Sequence, residues 1–173
     1  MGVSAILTKM KLRKWMKNGL KVGHAFKINA GSSIDPSFPW LVTIGDNVTL
    51  GPNVTILSHD ASSQVHLGYT RLGLVNIGNN VFIGAGSIVL PGVTIGNNVV
   101  IGAGSVVTRD ISDNVVVAGA PARVIKGMDE FKQKHREKMD VKLDESYTLG
   151  GGITFEKKEE MRKLLCEKDI YIV

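Results

Sequence analysis

Residues 77–108 read IGNNVFIGAGSIVLPGVTIGNNVVIGAGSVVT, and this stretch decides the fold. An aliphatic residue recurs at every sixth position and is followed by glycine in four of six cases. These aliphatic residues are Ile77, Ile83, Val89, Ile95, Ile101 and Val107. The same spacing occurs earlier at Ile44, Leu50 and Ile56, and more loosely at Val22, Ile28, Ile34 and Trp40. The core of the chain is therefore an internal repeat of six residues.

A period of six predicts short strands joined by tight turns. Six is a multiple of the strand period of two but not of the helical period of about 3.6, so the aliphatic residues share one face of each strand. Glycine and the Asn-Asn pairs that follow it favour turns. A chain that turns in this way winds into a prism of stacked coils with the aliphatic residues inside. An antiparallel sandwich fits less well, because its strands vary in length.

The repeat divides the chain into three segments, with residues 22–126 as the β-helical domain. The step from Ile56 to Ile77 is not a multiple of six, which predicts a loop excursion over 61–76. Residues 1–21 are predicted as a basic helical segment, and 127–173 as a helical tail. The helical spacing of Val3, Ile6, Leu7 and Met10 supports the first; charged stretches at Met128–Met139 and Thr154–Lys168 support the second.

The net charge of +5 resides in the N-terminal segment, where six basic residues occur without an acidic one. The β-helical domain has five of each sign, so the charge gives little reason to expect nucleic-acid binding. One hypothesis is peripheral contact of residues 1–21 with anionic lipid; a helix packed at the end of an oligomer, with solvated lysines, is preferred. No secretory signal or membrane-spanning stretch is recognised, and the single cysteine, Cys166, fits a reducing compartment. We therefore expect a cytoplasmic protein.

Residues 44–126 resemble the hexapeptide-repeat acetyltransferases, in particular the maltose, galactoside and capsular-polysaccharide O-acetyltransferase branch. The resemblance is carried by IGDNV at 44–48, GPNVT at 51–55, Ser58-His59, IGNNVFIGAGS at 77–87, LPGVTIG at 90–96, IGAGSVVT at 101–108 and AGAPARVI at 118–125. It implies an all-β fold, a left-handed parallel β-helix with short N-terminal and C-terminal helices. It also implies a homotrimer with active sites between subunits, acetyl-CoA as acyl donor, a sugar or polysaccharide acceptor, and no metal.

His59 is the predicted catalytic base. It follows a repeat directly and stands just before the register break, where the chain leaves the prism. In the family a histidine at this position is the general base, and Ser58-His59 matches it. A sugar hydroxyl is a poor nucleophile until a base takes its proton during attack on a thioester. Asp60 is adjacent in an extended chain and points to the opposite side, so it is not expected to orient His59.

The resemblance also assigns residues to the acetyl-CoA side. The backbone N–H of Ala85 corresponds to the donor that stabilises the oxyanion. Phe82 and Ala103 correspond to contacts with the pantetheine arm, and Pro121 lies against the adenine. Thr108, Arg109, Arg123 and Lys126 match positions near the phosphates of CoA. Basic residues there suit CoA, which is a polyanion. Arg109, Arg123 and Lys126 are three of the five basic residues in the domain.

The acceptor side is predicted from weaker signals. Asn29 and Asp35 occupy an early coil where family members hold sugar-binding polar groups, although either residue also fits a turn. The loop that carries His66, Tyr69 and Arg71 either shapes the acceptor pocket or is a mobile surface loop.

Two other functions remain open from the sequence. A zinc-dependent carbonic anhydrase on this fold would take three histidines from neighbouring subunits, and His24, His59 and His66 are the candidates. A non-catalytic β-helical scaffold or binding module is the other. The bases on the predicted CoA side disfavour both.

Overall fold

A computed structural model of the protein describes residues 3–139 and 141–172. The chain divides after Met128 into two compact units. The first unit contains the hexapeptide repeats, preceded by helix α1 (Val3–Lys17). Its strands, in chain order, are β1 (Lys21–Val22), β2 (Lys27–Ile28), β3 (Ser33–Ile34), β4 (Val42–Ile44), β5 (Thr49–Leu50), β6 (Thr55–Ile56), β7 (His59–Asp60), β8 (Arg71–Leu72), β9 (Val75–Ile77), β10 (Val81–Ile83), β11 (Ile88–Val89), β12 (Thr94–Ile95), β13 (Val99–Ile101), β14 (Val106–Val107), β15 (Val115–Ala118) and β16 (Arg123–Gly127). A 3₁₀ helix (Pro39–Leu41) precedes β4, and the short helix α2 (Gln64–Leu67) lies between β7 and β8.

The strands form three parallel sheets, which are the faces of a triangular prism. Face I contains β1, β4, β9 and β12; face II contains β2, β5, β10, β13 and β15; face III contains β3, β6, β11 and β14. Each strand pairs with the strand one coil further along, as Phe82 of β10 does with Val100 of β13. Ile111 continues face I into a fifth coil through a bridge to Ile95. Strand β16 then pairs antiparallel with β15 and ends the stack.

The prism interior is filled by the predicted aliphatic ladder. Buried members with at most 3% exposure are Ile34, Ile44, Leu50, Ile56, Ile77, Ile83, Val89, Ile95, Ile101 and Val107. A second ladder of valines two residues earlier, such as Val81 and Val99, is also buried. Assigning Trp40 to the interior was wrong, because its side chain is 54% exposed. The first coil, which contains the 3₁₀ helix, is four residues longer than a regular coil, because Val22 pairs with Ile44 whereas Ile77 pairs with Ile95. Ile44 therefore takes the interior position that the repeat predicted for Trp40.

One corner of the prism, between faces I and II, is built from asparagines. Asn47, Asn80, Asn98 and Asn114 have φ between 54° and 61°, a left-handed conformation that asparagine tolerates. Each amide donates to the next along the corner, Asn80 Nδ2 to Asn98 Oδ1 at 3.1 Å for example. Close stacking also explains the glycines that follow the aliphatic residues. A Cβ on Gly51 would lie 2.8 Å from the amide nitrogen of Ala85 in the next coil.

Helix α1 packs on the first coil through Trp15, which is 4% exposed and joins the core. The helix is confirmed, but Leu7 and Met10 of the predicted apolar stripe are 51% and 61% exposed. The side chains of Val3 and Ile6 lie outside the described residues. No described helix has the length and apolar character needed to cross a membrane.

The second unit contains two predicted helices and one sheet that the sequence did not predict. Helices α3 (Met128–Glu137) and α4 (Phe155–Leu165) fall within the predicted helical stretches. Strands β17 (Val141–Leu143) and β18 (Ile170–Ile172) pair in parallel. A 3₁₀ helix (Glu145–Tyr147) follows β17.

Candidate active site

The predicted site residues occupy two different corners of the prism. The corner between faces III and I, which we call the His59 corner, carries Asp35, Ser58 and His59 in its lower coils and Arg109 higher up. The corner between faces II and III, which we call the alanine corner, carries Ala85, Ala103 and Pro121 in successive coils. Strand β11 (Ile88–Val89) of face III lies between Ala85 and Leu90, which therefore belong to different corners.

His59 forms a close pair with Asp35 of the coil below. The imidazole Nδ1 lies 2.5 Å from Asp35 Oδ2. The His59 side chain is 29% exposed, while that of Asp35 is fully buried. Because a carboxylate only accepts hydrogen bonds, Nδ1 carries the proton in this arrangement and Nε2 is left with a free lone pair. The imidazole therefore has the tautomer that a general base requires.

The carboxylate of Asp35 is held ionised by its neighbours. Oδ2 also accepts hydrogen bonds from the backbone N–H and the hydroxyl of Ser58, at 2.9 and 2.8 Å. Oδ1 accepts from the N–H groups of Ser37 and Phe38, at 3.0 and 3.3 Å. Burial acts to raise the pKa of Asp35, but the hydrogen bonds from His59, Ser58 and Ser37 outweigh it and hold the pKa below its ordinary value of 3.8. Asp35 thus contacts the imidazole through Oδ2 and the turn at 37–38 through Oδ1, whereas the sequence left it open between a sugar ligand and a turn former.

A hairpin extends from the prism at His59. Strands β7 and β8 pair antiparallel, with His59 opposite Leu72 and Asp60 opposite Arg71. Arg71 Nη2 donates to the carbonyl oxygen of Pro91 at 3.3 Å and so ties the hairpin to the next coil. Asp60 accepts the N–H of Ser62 at 2.8 Å. The base of the excursion is therefore ordered by the core, and it begins at His59 itself, two residues before the predicted start.

One aromatic side chain borders the imidazole, and a second one packs against the first. Phe38 meets His59 edge to face with ring centroids 5.3 Å apart, and Trp40 meets Phe38 at 5.6 Å. Trp40 is 54% exposed. Sequence reasoning missed both residues, because the repeat pattern placed Trp40 inside the prism. The Phe-Pro-Trp sequence at 38–40, which interrupts the repeat, was the signal that could have shown it.

The alanine corner presents backbone and small side chains to solvent. Ala85, Ala103 and Pro121 are exposed, and the N–H of Gly104 donates to Ala85 O at 2.8 Å between coils. Phe82, on the outside of face II, is 46% exposed. These are the residues expected to contact the pantetheine arm and the adenine. Of the predicted phosphate-binding residues, Arg123 and Lys126 lie in β16, while Thr108 and Arg109 lie at the His59 corner.

Asn29 and His24 lie away from the His59–Asp35 pair. Asn29 belongs to the alanine corner of the first coil, where Nδ2 donates to Leu50 O at 2.8 Å. His24 belongs to the asparagine corner, and its Nδ1 is 3.4 Å from Asp46. Within the described ranges, no group of three or more His, Cys, Asp or Glu side chains is arranged to hold a metal ion.

Comparison with known proteins identifies the repeat. Residues 75–109 match the family model described as bacterial transferase hexapeptide (six repeats). The chain is 42% identical over 139 residues to protein CapG of Staphylococcus aureus, covering 78% of this chain and 79% of that protein. It is 41% identical over 132 residues to galactoside O-acetyltransferase of Escherichia coli, covering 75% of this chain and 64% of the relative. The chain belongs to the hexapeptide-repeat acetyltransferase family.

Solved structures of this family give the same fold. A maltose O-acetyltransferase from Clostridium difficile superposes with a TM-score of 0.54 at 43% identity, over 64% of this chain and 59% of that one. A hexapeptide-repeat acetyltransferase from Vibrio cholerae, solved as its complex with acetyl-CoA, gives 0.57 at 29% identity, over 64% and 61%. This hexapeptide-repeat acetyltransferase therefore has the left-handed parallel β-helix fold that the sequence predicted. It spans less than two thirds of these two structures and of the Escherichia coli enzyme.

Proposed function

We propose that the protein is an O-acetyltransferase that transfers acetyl from acetyl-CoA to a hydroxyl of a sugar or polysaccharide precursor. The observation that carries this proposal is the 2.5 Å contact between His59 Nδ1 and the buried Asp35 carboxylate. It leaves Nε2 of a partly exposed imidazole free to accept a proton.

The reaction follows from that geometry. His59 Nε2 takes the proton of the acceptor hydroxyl as its oxygen attacks the acetyl carbonyl carbon of the thioester. The carbon–sulfur bond then breaks, and the proton passes from the imidazolium to the departing CoA thiolate. Asp35 stabilises the imidazolium between these two transfers, because its carboxylate is ionised and lies against Nδ1. His59 therefore serves first as the general base and then as the general acid.

A sugar acceptor is supported by the surface beside His59 and by the named activities of the relatives. Trp40 and Phe38 form an aromatic wall next to the imidazole, and the exposed indole offers an apolar surface with a polar N–H. Two relatives are named galactoside and maltose O-acetyltransferases. In this proposal Asp35 orients His59, Asn29 remains a candidate acceptor ligand at the alanine corner, and the hairpin borders the acceptor.

The alanine corner fits acetyl-CoA. Small residues there leave a row of accessible backbone along the prism, which suits a narrow pantetheine arm. The N–H of Ala85 would donate to the oxyanion, and Phe82 and Ala103 would contact the arm. Pro121 would lie against the adenine. Thr108, Arg109, Arg123 and Lys126 would provide the polar and cationic groups near the phosphates.

The two halves of the site require a second subunit. His59 and Ala85 lie at different corners, and face III separates them within one chain. A closed assembly can bring the His59 corner of one subunit to the alanine corner of the next, and three such contacts close a trimer of prisms. We therefore propose a homotrimer with three active sites, one in each cleft between subunits.

Mixed assemblies of two inactive variants are expected to regain activity. His59→Ala removes the base, and Ala103→Trp fills the proposed pantetheine groove at an exposed position. Each cleft combines the His59 corner of one subunit with the alanine corner of the next. When the two variants are co-expressed in equal amounts and assemble at random, both corners are intact in about one quarter of the clefts. Acetyl transfer by the purified mixture, compared with each variant alone, measures this. If both variants fold and the mixture stays inactive, the site lies within one chain.

The function itself is tested with acetyl-CoA and a panel of acceptors: neutral disaccharides, uronic acids, sugar phosphates and nucleotide sugars. We expect acceptor-dependent release of CoA thiol with a mass gain of one acetyl group on the product. Absence of transfer to every acceptor would favour the scaffold function. Chelator-sensitive hydration of carbon dioxide would favour the carbonic anhydrase.

A further inference from the structure

A pocket lies between helix α1 and the first coil, outside the residues assigned so far. It has a volume of about 240 Å³ and is lined by Lys11, Lys14, Trp15, Ser33 and Pro36. Ser33 and Pro36 stand on either side of the Ile34-Asp35 dipeptide, so the pocket adjoins the buried partner of His59. Strand β3 pairs directly with β6. The pocket therefore lies one coil below the imidazole, a step of about 4.8 Å along the prism.

The charge of this pocket is positive and uncompensated. Lys11 and Lys14 are three residues apart on α1, which places them on one side of the helix. No acidic residue is among the lining groups, and among the described residues no ion pair involves either lysine. The carboxylate of Asp35, which precedes the lining residue Pro36, has both oxygens turned to interior donors at Ser37, Ser58 and His59.

The walls of the pocket are fixed by the core. Trp15 is 4% exposed and packs with the aliphatic ladder, so it cannot swing away. Ser33 is held in β3, where its N–H donates to Val54 O at 2.8 Å. The volume suits one sugar ring or one charged substituent, because whole drug-sized ligands take pockets of about 300 Å³ or more.

The phosphates of CoA do not account for this charge. Their proposed ligands lie in the upper coils, Thr108 and Arg109 directly after β14 of the fourth coil and Arg123 and Lys126 on β16 beside the fifth, whereas the pocket lies at the first. Four coil spacings of ~4.8 Å put the two ends about 19 Å apart. The basic residues near the fifth coil are therefore proposed to bind CoA, and the lysines of the pocket are available to bind another anion.

We propose that this pocket binds an anionic group, a phosphate or a carboxylate, carried by the sugar acceptor. The inference rests on the proposed function and deepens it: the acceptor is an acidic or phosphorylated sugar. The two ammonium groups would pair with the anion, Ser33 would donate a hydrogen bond, and the reacting hydroxyl would point one coil up to His59.

The test compares Lys11→Gln/Lys14→Gln with Arg13→Gln/Lys17→Gln, which removes the same charge from the same helix outside the pocket. Steady-state kinetics use matched neutral and anionic acceptors: a hexose, its 1-phosphate, the corresponding uronic acid and the corresponding nucleoside-diphosphate sugar. We expect wild type to favour at least one anionic acceptor. In Lys11→Gln/Lys14→Gln, the KM for that acceptor is expected to rise about tenfold with little change in kcat, and the kinetics of the neutral acceptor are expected to change little. The control variant and Lys11→Arg/Lys14→Arg are expected to keep the preference. The anionic arms distinguish carboxylate from phosphate.

Equal use of neutral and anionic acceptors by wild type would overturn the proposal, as would equal losses in both double variants. Calorimetric measurement of sugar 1-phosphate binding separates failure of the pocket proposal from failure of the proposed function. Binding lost only in Lys11→Gln/Lys14→Gln supports the pocket even if no acetyl transfer is detected. A different result would overturn the proposal: wild type does not bind sugar 1-phosphate, but it sediments with phosphatidylglycerol vesicles in a manner that depends on Lys11 and Lys14. That result would assign the positive charge to membrane binding.

Discussion

Replacing His59 with alanine is expected to lower kcat for acetyl transfer by about 10²–10⁴-fold, the range that a general base contributes. The physical reason is that Nε2 is the proton acceptor beside the hydroxyl, and alanine offers none. The KM for acetyl-CoA is expected to change little, because His59 is not among the residues proposed to bind acetyl-CoA. Steady-state CoA release with a fixed saturating acceptor measures both constants.

The matched control is His24→Ala. His24 lies at the asparagine corner, away from the His59–Asp35 pair, and its side chain is 99% exposed. We expect this variant to keep wild-type kcat, which excludes a general effect of losing a histidine. Wild-type activity in a folded His59→Ala protein would refute the base assignment. Partial recovery on adding imidazole would strengthen it.

The sequence predicted the prism because its spacing is strict. Every sixth residue from Ile77 to Val107 is aliphatic, and each is buried in the structure. The prediction failed at Trp40, where an insertion that contains the 3₁₀ helix Pro39–Leu41 lengthens the first coil by four residues. A sequence repeat predicts which residues face the interior. An insertion that happens to place an apolar residue at the sixth position cannot be told from the repeat by spacing alone.

The site was harder to predict because its parts meet through stacking. His59 could be singled out, since it stands at the register break. Asp35 is 24 residues earlier, and nothing in the linear sequence pairs the two residues, because they meet only when adjacent coils stack at the same corner. The β17–β18 pair was missed for a similar reason: three-residue strands separated by a helix carry too little pattern to recognise.

Asp35→Asn is expected to lower kcat by about 10⁴-fold although the base itself is retained, the loss seen when the carboxylate that orients a catalytic histidine becomes an amide. The cause is the donor set around the carboxylate. Oδ1 faces two backbone N–H groups and Oδ2 faces Ser58 and His59. An amide must turn its NH₂ toward one of these sides. Facing His59, it would donate to Nδ1 and move the ring proton to Nε2, where it blocks proton acceptance.

Facing the other side, the amide would oppose the N–H groups of Ser37 and Phe38, so stability falls in either orientation. We expect a loss of about 1–3 kcal/mol at neutral pH, the penalty for unsatisfied buried groups, measured by urea unfolding. Asp60→Asn is the control, because that carboxylate is not buried and accepts from Ser62.

The pH dependence separates the orienting role from a packing defect. The folded pKa of Asp35 is below its ordinary value of 3.8, so its ionised form contributes stability that is complete above that value. This contribution is lost as the pH falls from 3.8 through the lower folded pKa. The stability difference between wild type and Asp35→Asn should therefore hold constant at neutral pH and shrink only in acid. The loss of kcat should likewise persist across the neutral range, since Asp35 stays ionised there. A kcat that returned to wild type wherever the variant is fully folded would show that Asp35 only supports the fold.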